Sequence, residues 1–300
     1  MKQLTIIQAP SNLGLKEPAS GVEPGVKFLP GALLDKDFAK KLNVFDVSQI
    51  QSCSYSMHID EETKVRNADN IVCYSENLAN CVYEAIKKNK FPLVLGGDCS
   101  ILLGTMLGLR KAGNYGLFFL DGHTDYMFPE QSGTAGAAGM DLAFVTGNGH
   151  KKLSDIQGLS PYVKEENIFC VGNREYTNWY VDLIKQSNIH YYDLAAIRKT
   201  GIKKIIDDFL LMIKNKKLDG FWIHLDVDVL NDEIMPCVDS RAEDGVSYSE
   251  LHEILIPLLS SELVSGIEIT ILDPTLDKEN KYVSEFCNQM VEIFLYTASF

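Results

Sequence analysis

Eight short runs of apolar, β-branched or aromatic residues recur along the chain, at 4–9, 43–47, 92–95, 116–120, 167–171, 189–192, 220–225 and 263–271. Several are close to continuous, Gly-Leu-Phe-Phe-Leu at 116–120 being the plainest case. A strand with one solvated face alternates apolar and polar residues, whereas a strand covered on both faces does not. Between most of the runs lie stretches that repeat apolar positions at three and four, clearest at 61–89, 202–217, 249–259 and 283–296. Strands alternating with helices predict an α/β fold, a mostly parallel sheet covered by helices on both faces.

No repeat, low-complexity tract or Pro/Gly-rich linker divides the chain, and its polar strand ends are spread from the first third to the last. One domain over residues 1–300 is therefore expected. The longest irregular segment, 126–139, carries Pro129, Glu130, Ser132, Gly133, Gly136 and Gly139. Following a strand that ends in polar residues, it is expected to form a substrate lid or wall, with Glu130 a candidate contact to a substrate cation.

A formal charge of -13 repels nucleic acid and anionic lipid, so neither is an expected partner. No segment approaches the about 18 apolar residues of a membrane span, and the start has too short an apolar stretch for a signal peptide. A cytoplasmic protein acting on a small molecule is the expectation. Seven scattered cysteines without a Cys-x-x-Cys pair suggest neither a disulfide framework nor a structural zinc knuckle.

The chemistry concentrates at two strand ends. The run 116–120 leads into Asp121-Gly122-His123-Thr124-Asp125, and the run 220–225 into Asp226-Val227-Asp228. Alternate residues of an extended chain share a face, so the carboxylates and the imidazole can converge on an ion. Ligands in open α/β sheets gather at such carboxyl ends. His224 shares the parity of Asp226 and Asp228, which makes it a candidate extra ligand or proton carrier. Asp98 is placed to cap a helix beginning near Ser100.

Four motifs in order resemble the arginase/agmatinase/formimidoylglutamase (ureohydrolase) superfamily. Ile7-Gln8-Ala9-Pro10 with Gly21-Val22-Glu23-Pro24-Gly25 is similar to the family's opening strand and loop, and Leu95-Gly96-Gly97-Asp98-Cys99-Ser100 to its Gly-Gly-Asp-His-Ser motif. Asp121-Gly122-His123-Thr124-Asp125 resembles its Asp-Ala-His-x-Asp motif, and Leu225-Asp226-Val227-Asp228 its Asp-x-Asp motif. The resemblance implies a three-layer α/β/α, arginase-deacetylase-like fold and a homo-oligomer, trimer or hexamer. It also implies a binuclear Mn2+ site: Asp121 and Asp226 bridge the metals, His123 and Asp228 hold one ion, and Cys99 and Asp125 complete the other. The implied reaction is hydrolysis of a linear, nonpeptide C–N bond by a metal-activated hydroxide, with Asp125 relaying the proton to the leaving amine.

Three departures accompany the match. Cys99 stands where the family has a histidine ligand; a thiolate is softer and favours zinc, cobalt or nickel, so an altered site or a single ion is an open alternative. Ala138 stands near the place of the arginase proton-shuttle histidine. Ile271 aligns with the guanidinium-binding glutamate, and no acidic residue follows the Val171-Gly172-Asn173-Arg174-Glu175 turn where arginases recognise the substrate α-amino group. A guanidino, amidine or amide substrate other than L-arginine is the expectation. Competing readings are a mononuclear deacetylase-like amidohydrolase and a metal-free ligand-binding scaffold.

Overall fold

Tyr115–Leu120 and Gly220–Asp226 are buried at every position, as near-continuous apolar runs require of central strands. The computed structural model describes residues 2–297. Its strands are β1 (Gln3–Gln8), β2 (Val47–Gln49), β3 (Lys90–Leu95), β4 (Tyr115–Leu120), β5 (Ile168–Val171), β6 (His190–Tyr192), β7 (Gly220–Asp226) and β8 (Val264–Thr270). They form one sheet in the order β2-β1-β3-β8-β7-β4-β5-β6, with every pairing parallel.

Helices Ala68–Lys87 and Leu102–Ala112 cover one face, packing on Ile7, Val94, Leu117, Phe119 and Trp222. Helices Ile202–Asn215, Tyr248–Leu259 and Lys281–Tyr296 cover the other, over Leu93, Phe118, Ile223 and Ile267. The result is the three-layer α/β/α arrangement expected from the alternation. Among the described residues no helix is long and apolar enough to cross a membrane.

The second strand departs from expectation. Asn43 takes a positive φ of 56°, which breaks an extended run at its first residue, and Phe45 is 89% exposed. The edge strand forms instead at Val47–Gln49, pairing with Ile6–Gln8. Likewise the helix expected from residue 61 starts at Ala68, behind Asn67 in the left-handed region.

The strand order brings the carboxyl ends of β3, β8, β7 and β4 side by side, where the winding changes direction and an open α/β sheet forms a crevice. Gly97, just past β3, makes a close approach possible: a Cβ there would lie 1.8 Å from the Ser11 carbonyl oxygen. The backbone of the first loop therefore packs directly on the strand end. Gly97→Ala is expected to lower stability by about 2 kcal/mol or more, read as a smaller urea midpoint at unchanged slope. A wild-type midpoint would show that this contact relaxes freely.

Candidate metal centre

Each site residue sits where a central strand ends. β4 delivers Asp121 and, beyond Gly122, His123 and Asp125; β7 carries His224 and Asp226 and runs into a short turn with Asp228; the turn after β3 presents Cys99. The turn is held locally. Asp98 accepts from the Ser100 amide at 2.9 Å and from the Ser11 hydroxyl at 2.7 Å. Asp226 accepts from the Asp228 amide at 2.7 Å, and Asp228 from the Gly122 amide at 3.0 Å, tying the two motifs together.

Three overlapping groups result: Cys99, Asp121, His224 and Asp226; Cys99, Asp125 and Asp141; and Asp121, His123 and Asp228. Within each, the donor atoms lie within 4.8 Å of one another. The Cys99 thiol reaches Asp226 Oδ2 at 2.8 Å, and His123 Nδ1 lies 2.9 Å from Asp228 Oδ2. All but His123 are buried.

Crowded, desolvated carboxylates hold their protons. Burial and the Asp228 charge push the Asp121 carboxyl up to about 7. Burial, then Asp121 and Asp141, raise Asp125 far above the usual range; burial and the Asp228 charge do the same to Asp226. Burial and Asp226 push the Cys99 thiol up. Burial pulls the His123 imidazole down, but Asp228 and Asp121 outweigh it and hold it at about 9. Asp228 is itself resisted by burial, yet His123 and Arg174 keep it below the carboxylate range. Asp121 Oδ2, Asp141 Oδ2 and His224 Nε2 are buried without a hydrogen-bond partner. Carboxylate, imidazole and thiolate donors with unpartnered atoms turned toward one another fit a divalent cation.

Above the cluster opens a cleft of about 780 Å³, which Cys99, His123, Asp125, Asp226 and Ile271 line together with Glu175, Trp179 and Tyr180. The 126–139 segment forms part of its wall through Met127, Thr134, Ala138 and Gly139. Ile271 is 2% exposed and holds a φ of 72°, a left-handed conformation rare for a β-branched residue.

A family model described as "Arginase family" matches residues 2–295. The chain belongs to the arginase family. The arginase of Staphylococcus aureus strain COL is 32% identical over 282 residues, covering 93% of this chain and 92% of that protein. The arginase of Bacillus caldovelox, solved at pH 5.6, superposes with a TM-score of 0.87 at 28% identity, covering 98% of each chain. Formimidoylglutamase from Bacillus subtilis shares the fold, with a TM-score of 0.75 at 20% identity. This arginase-family chain is accordingly a hydrolase of the C–N bond class to which its relatives belong.

One expected position differs. Glu130 lies exposed on the turn Pro129–Gln131 and does not line the cleft, because the turn carries its side chain to solvent. His224 is fully buried behind the carboxylates and does not reach the cleft, so it has no direct contact with a bound substrate. Three acids escaped the sequence reading. Glu175 lines the cleft, its carboxyl held below the usual range by the hydroxyl and amide of Thr177. Glu175 is the last residue of the Gly-x-Arg turn itself, and the residues that follow it, Tyr176, Thr177 and Asn178, are not acidic. Asp141 and Glu268 are fully buried beside the cluster. Glu268 was legible, as the lone charge in the apolar run 263–271; Asp141, at the start of the short helix Asp141–Val145 just past the irregular segment 126–139, carried no signal.

The electrostatics give a sign. A carboxyl at about 7 when folded, against about 3.9 unfolded, stabilises the fold only while protonated, so stability falls as pH rises through that interval. His123, at about 9 folded against about 6.5 unfolded, contributes below 6.5 and loses its contribution as pH rises through 9. The opposite contribution of Asp228 is confined to acid pH. Chelator-treated protein should therefore melt at progressively lower temperature between about pH 6 and about pH 9. Saturating manganese should flatten or reverse that slope, since cation binding requires deprotonated ligands. A chelated protein whose melting temperature climbs over this window would contradict the assignment.

Proposed function

We propose that this chain is a metal-dependent hydrolase of a linear nonpeptide C–N bond in a guanidino, amidine or amide substrate other than L-arginine. The observation that carries it is the cleft floor, where Asp125, His123 and Asp226 face the solvent-accessible space beside the aliphatic Ile271. An aliphatic side chain offers no charge-assisted pair to a guanidinium, whereas the fixed carboxylate of Glu175 at the same cleft suits a cationic group elsewhere on the substrate.

Asp121, His123, Asp226, Asp228 and Cys99 would hold two divalent cations, Mn2+ by family resemblance, and these when bound supply Lewis acidity and acidify water. Asp125 is the residue positioned for proton transfer: once the positive charge of bound cations has ionised its carboxyl, it would accept the proton released as water adds to the sp² carbon and return it to the departing nitrogen as the C–N bond breaks. His123 and, behind it, Arg174 keep Asp228 ionised, and Asp228 in turn orients His123. Trp179 and Tyr180 wall the cleft, and the Tyr180 hydroxyl is anchored by the Thr124 amide at 2.8 Å. The same reading carries one arginase-like domain over residues 1–300, a cytoplasmic location and a homo-oligomer, trimer or hexamer.

Metal per chain, measured by mass spectrometry after dialysis against manganese, is expected to be two ions; one would favour the mononuclear reading and none would remove both enzymatic ones. The loaded protein is then screened for urea or ammonia release from guanidino, amidine and amide compounds. L-arginine hydrolysis is the second reading, favoured by the arginase relatives at 32% identity. If Ile271 redirects specificity, Ile271→Glu should raise kcat/KM for L-arginine about tenfold or more, the worth of one charged hydrogen bond. Wild-type protein that turns over L-arginine better than every other compound would defeat the substrate part of the proposal.

A further inference from the structure

Phe119, His224 and Glu268 stand in one row across β4, β7 and β8. The His224 ring stacks on Phe119 with centroids 4.5 Å apart and planes 5° from parallel, and its Nδ1 lies 2.8 Å from Glu268 Oε1. The ring is thereby fixed in plane and orientation. Its other nitrogen, Nε2, is buried without a partner and lies 3.9 Å from Asp121 Oδ2, which also lacks one. A histidine retained for packing would satisfy both nitrogens, since an unpaired polar atom in a dry interior is costly. Glu268 accepting from Nδ1–H leaves the Nε2 lone pair free, the carboxylate–histidine arrangement that supports a metal ligand.

We propose that His224 supplies the imidazole ligand that position 99 lacks relative to the family, so that Cys99, Asp121, His224 and Asp226 form a deep four-donor cation position with Glu268 as its orienting partner. This inference rests on reading the cluster as a metal centre. One sulfur, one nitrogen and two carboxylate oxygens make a set suited to four-coordinate zinc or cobalt, with bonds of about 2.0–2.3 Å drawing in donors now within 4.8 Å of one another. The group Asp121, His123 and Asp228, reaching the cleft through His123, has no sulfur and suits a harder ion such as manganese. The two positions of this centre therefore differ in softness. Thr270, whose hydroxyl lies 3.2 Å from the Cys99 sulfur, completes the surroundings of the thiol.

The test is a titration of chelator-stripped full-length protein with Co2+, followed by absorption and by the metal-dependent rise in melting temperature. The first equivalent is expected to produce a thiolate-to-cobalt charge-transfer band together with the intense visible bands of four-coordinate cobalt, and excess Mn2+ should not displace it. Cys99→Ser should abolish the charge-transfer band. His224→Gln should weaken the first equivalent at least about tenfold while leaving the second unchanged, and Glu268→Gln should weaken it by about 10–100-fold. X-ray absorption at the cobalt edge of wild-type protein loaded with one equivalent needs no variant and should show one sulfur and one imidazole. A first equivalent insensitive to His224→Gln, or weakened by Asp141→Asn instead, overturns the inference and assigns the position to Cys99, Asp125 and Asp141. Failure to bind cobalt or manganese at all would overturn the metal-centre reading itself.

Discussion

Asp121, Asp125, Asp141, Asp226 and Asp228 lie buried within a few side-chain widths of one another at the end of a parallel sheet, and this concentration of carboxylates governs the molecule. Withdrawn from water, such groups cannot all be ionised unless positive charge stands among them. The chain supplies part of that charge through His123 and the buried Arg174, and only Asp228 is held ionised by them. Asp121, Asp125 and Asp226 retain their affinity for protons, which is the electrostatic form of a preference for cations. The cost of gathering these groups is met by a large apolar core on both faces of the sheet.

The scaffold fixes the cluster by short-range means. Asp226 and Asp228 are oriented by amides of their own turn and of the neighbouring strand end, Cys99 by a turn that Asp98 closes, and His224 by a stacked ring and a carboxylate. Ile271 contributes strain: a β-branched residue with φ of 72° costs about 1–2 kcal/mol, and its amide is held by the Gly97 carbonyl at 2.8 Å. The same turn therefore fixes the floor of the cleft and the approach of the first loop. Backbone strain of this kind is typically kept where a side chain must be presented in one direction.

The departures from the arginase pattern are coherent when taken together. Cys99 and His224 lie together with Asp121 and Asp226 on the buried side of the cluster, while Ile271 lines the cleft above it. Asp121, His123, Asp125, Asp226 and Asp228 stand together beneath the cleft that Ile271 and Glu175 line. Glu175 and its Thr177 anchor keep a carboxylate available to a cationic substrate group.

What the sequence determined by itself was the architecture and the placing of the candidate donors at two strand ends. Unbroken apolar runs announce strands covered on both faces, and a two-residue spacing puts Asp121 with His123, and Asp226 with Asp228, at strand ends, because both signals are local and periodic. β2 lies at Val47–Gln49 rather than at 43–47, because an edge strand buries little and leaves a faint pattern. Tertiary structure alone decided which strands became neighbours, and with that the pairing of His224 with Glu268, 44 residues apart, and of Cys99 with Asp226, 127 apart. It also decided that Glu130 faces solvent, that Glu175 enters the cleft and that Asp141 joins the cluster. Those outcomes depend on sheet order, cross-strand register and the path of irregular segments, which are set by packing between distant parts of the chain and leave no periodic trace within any one of them.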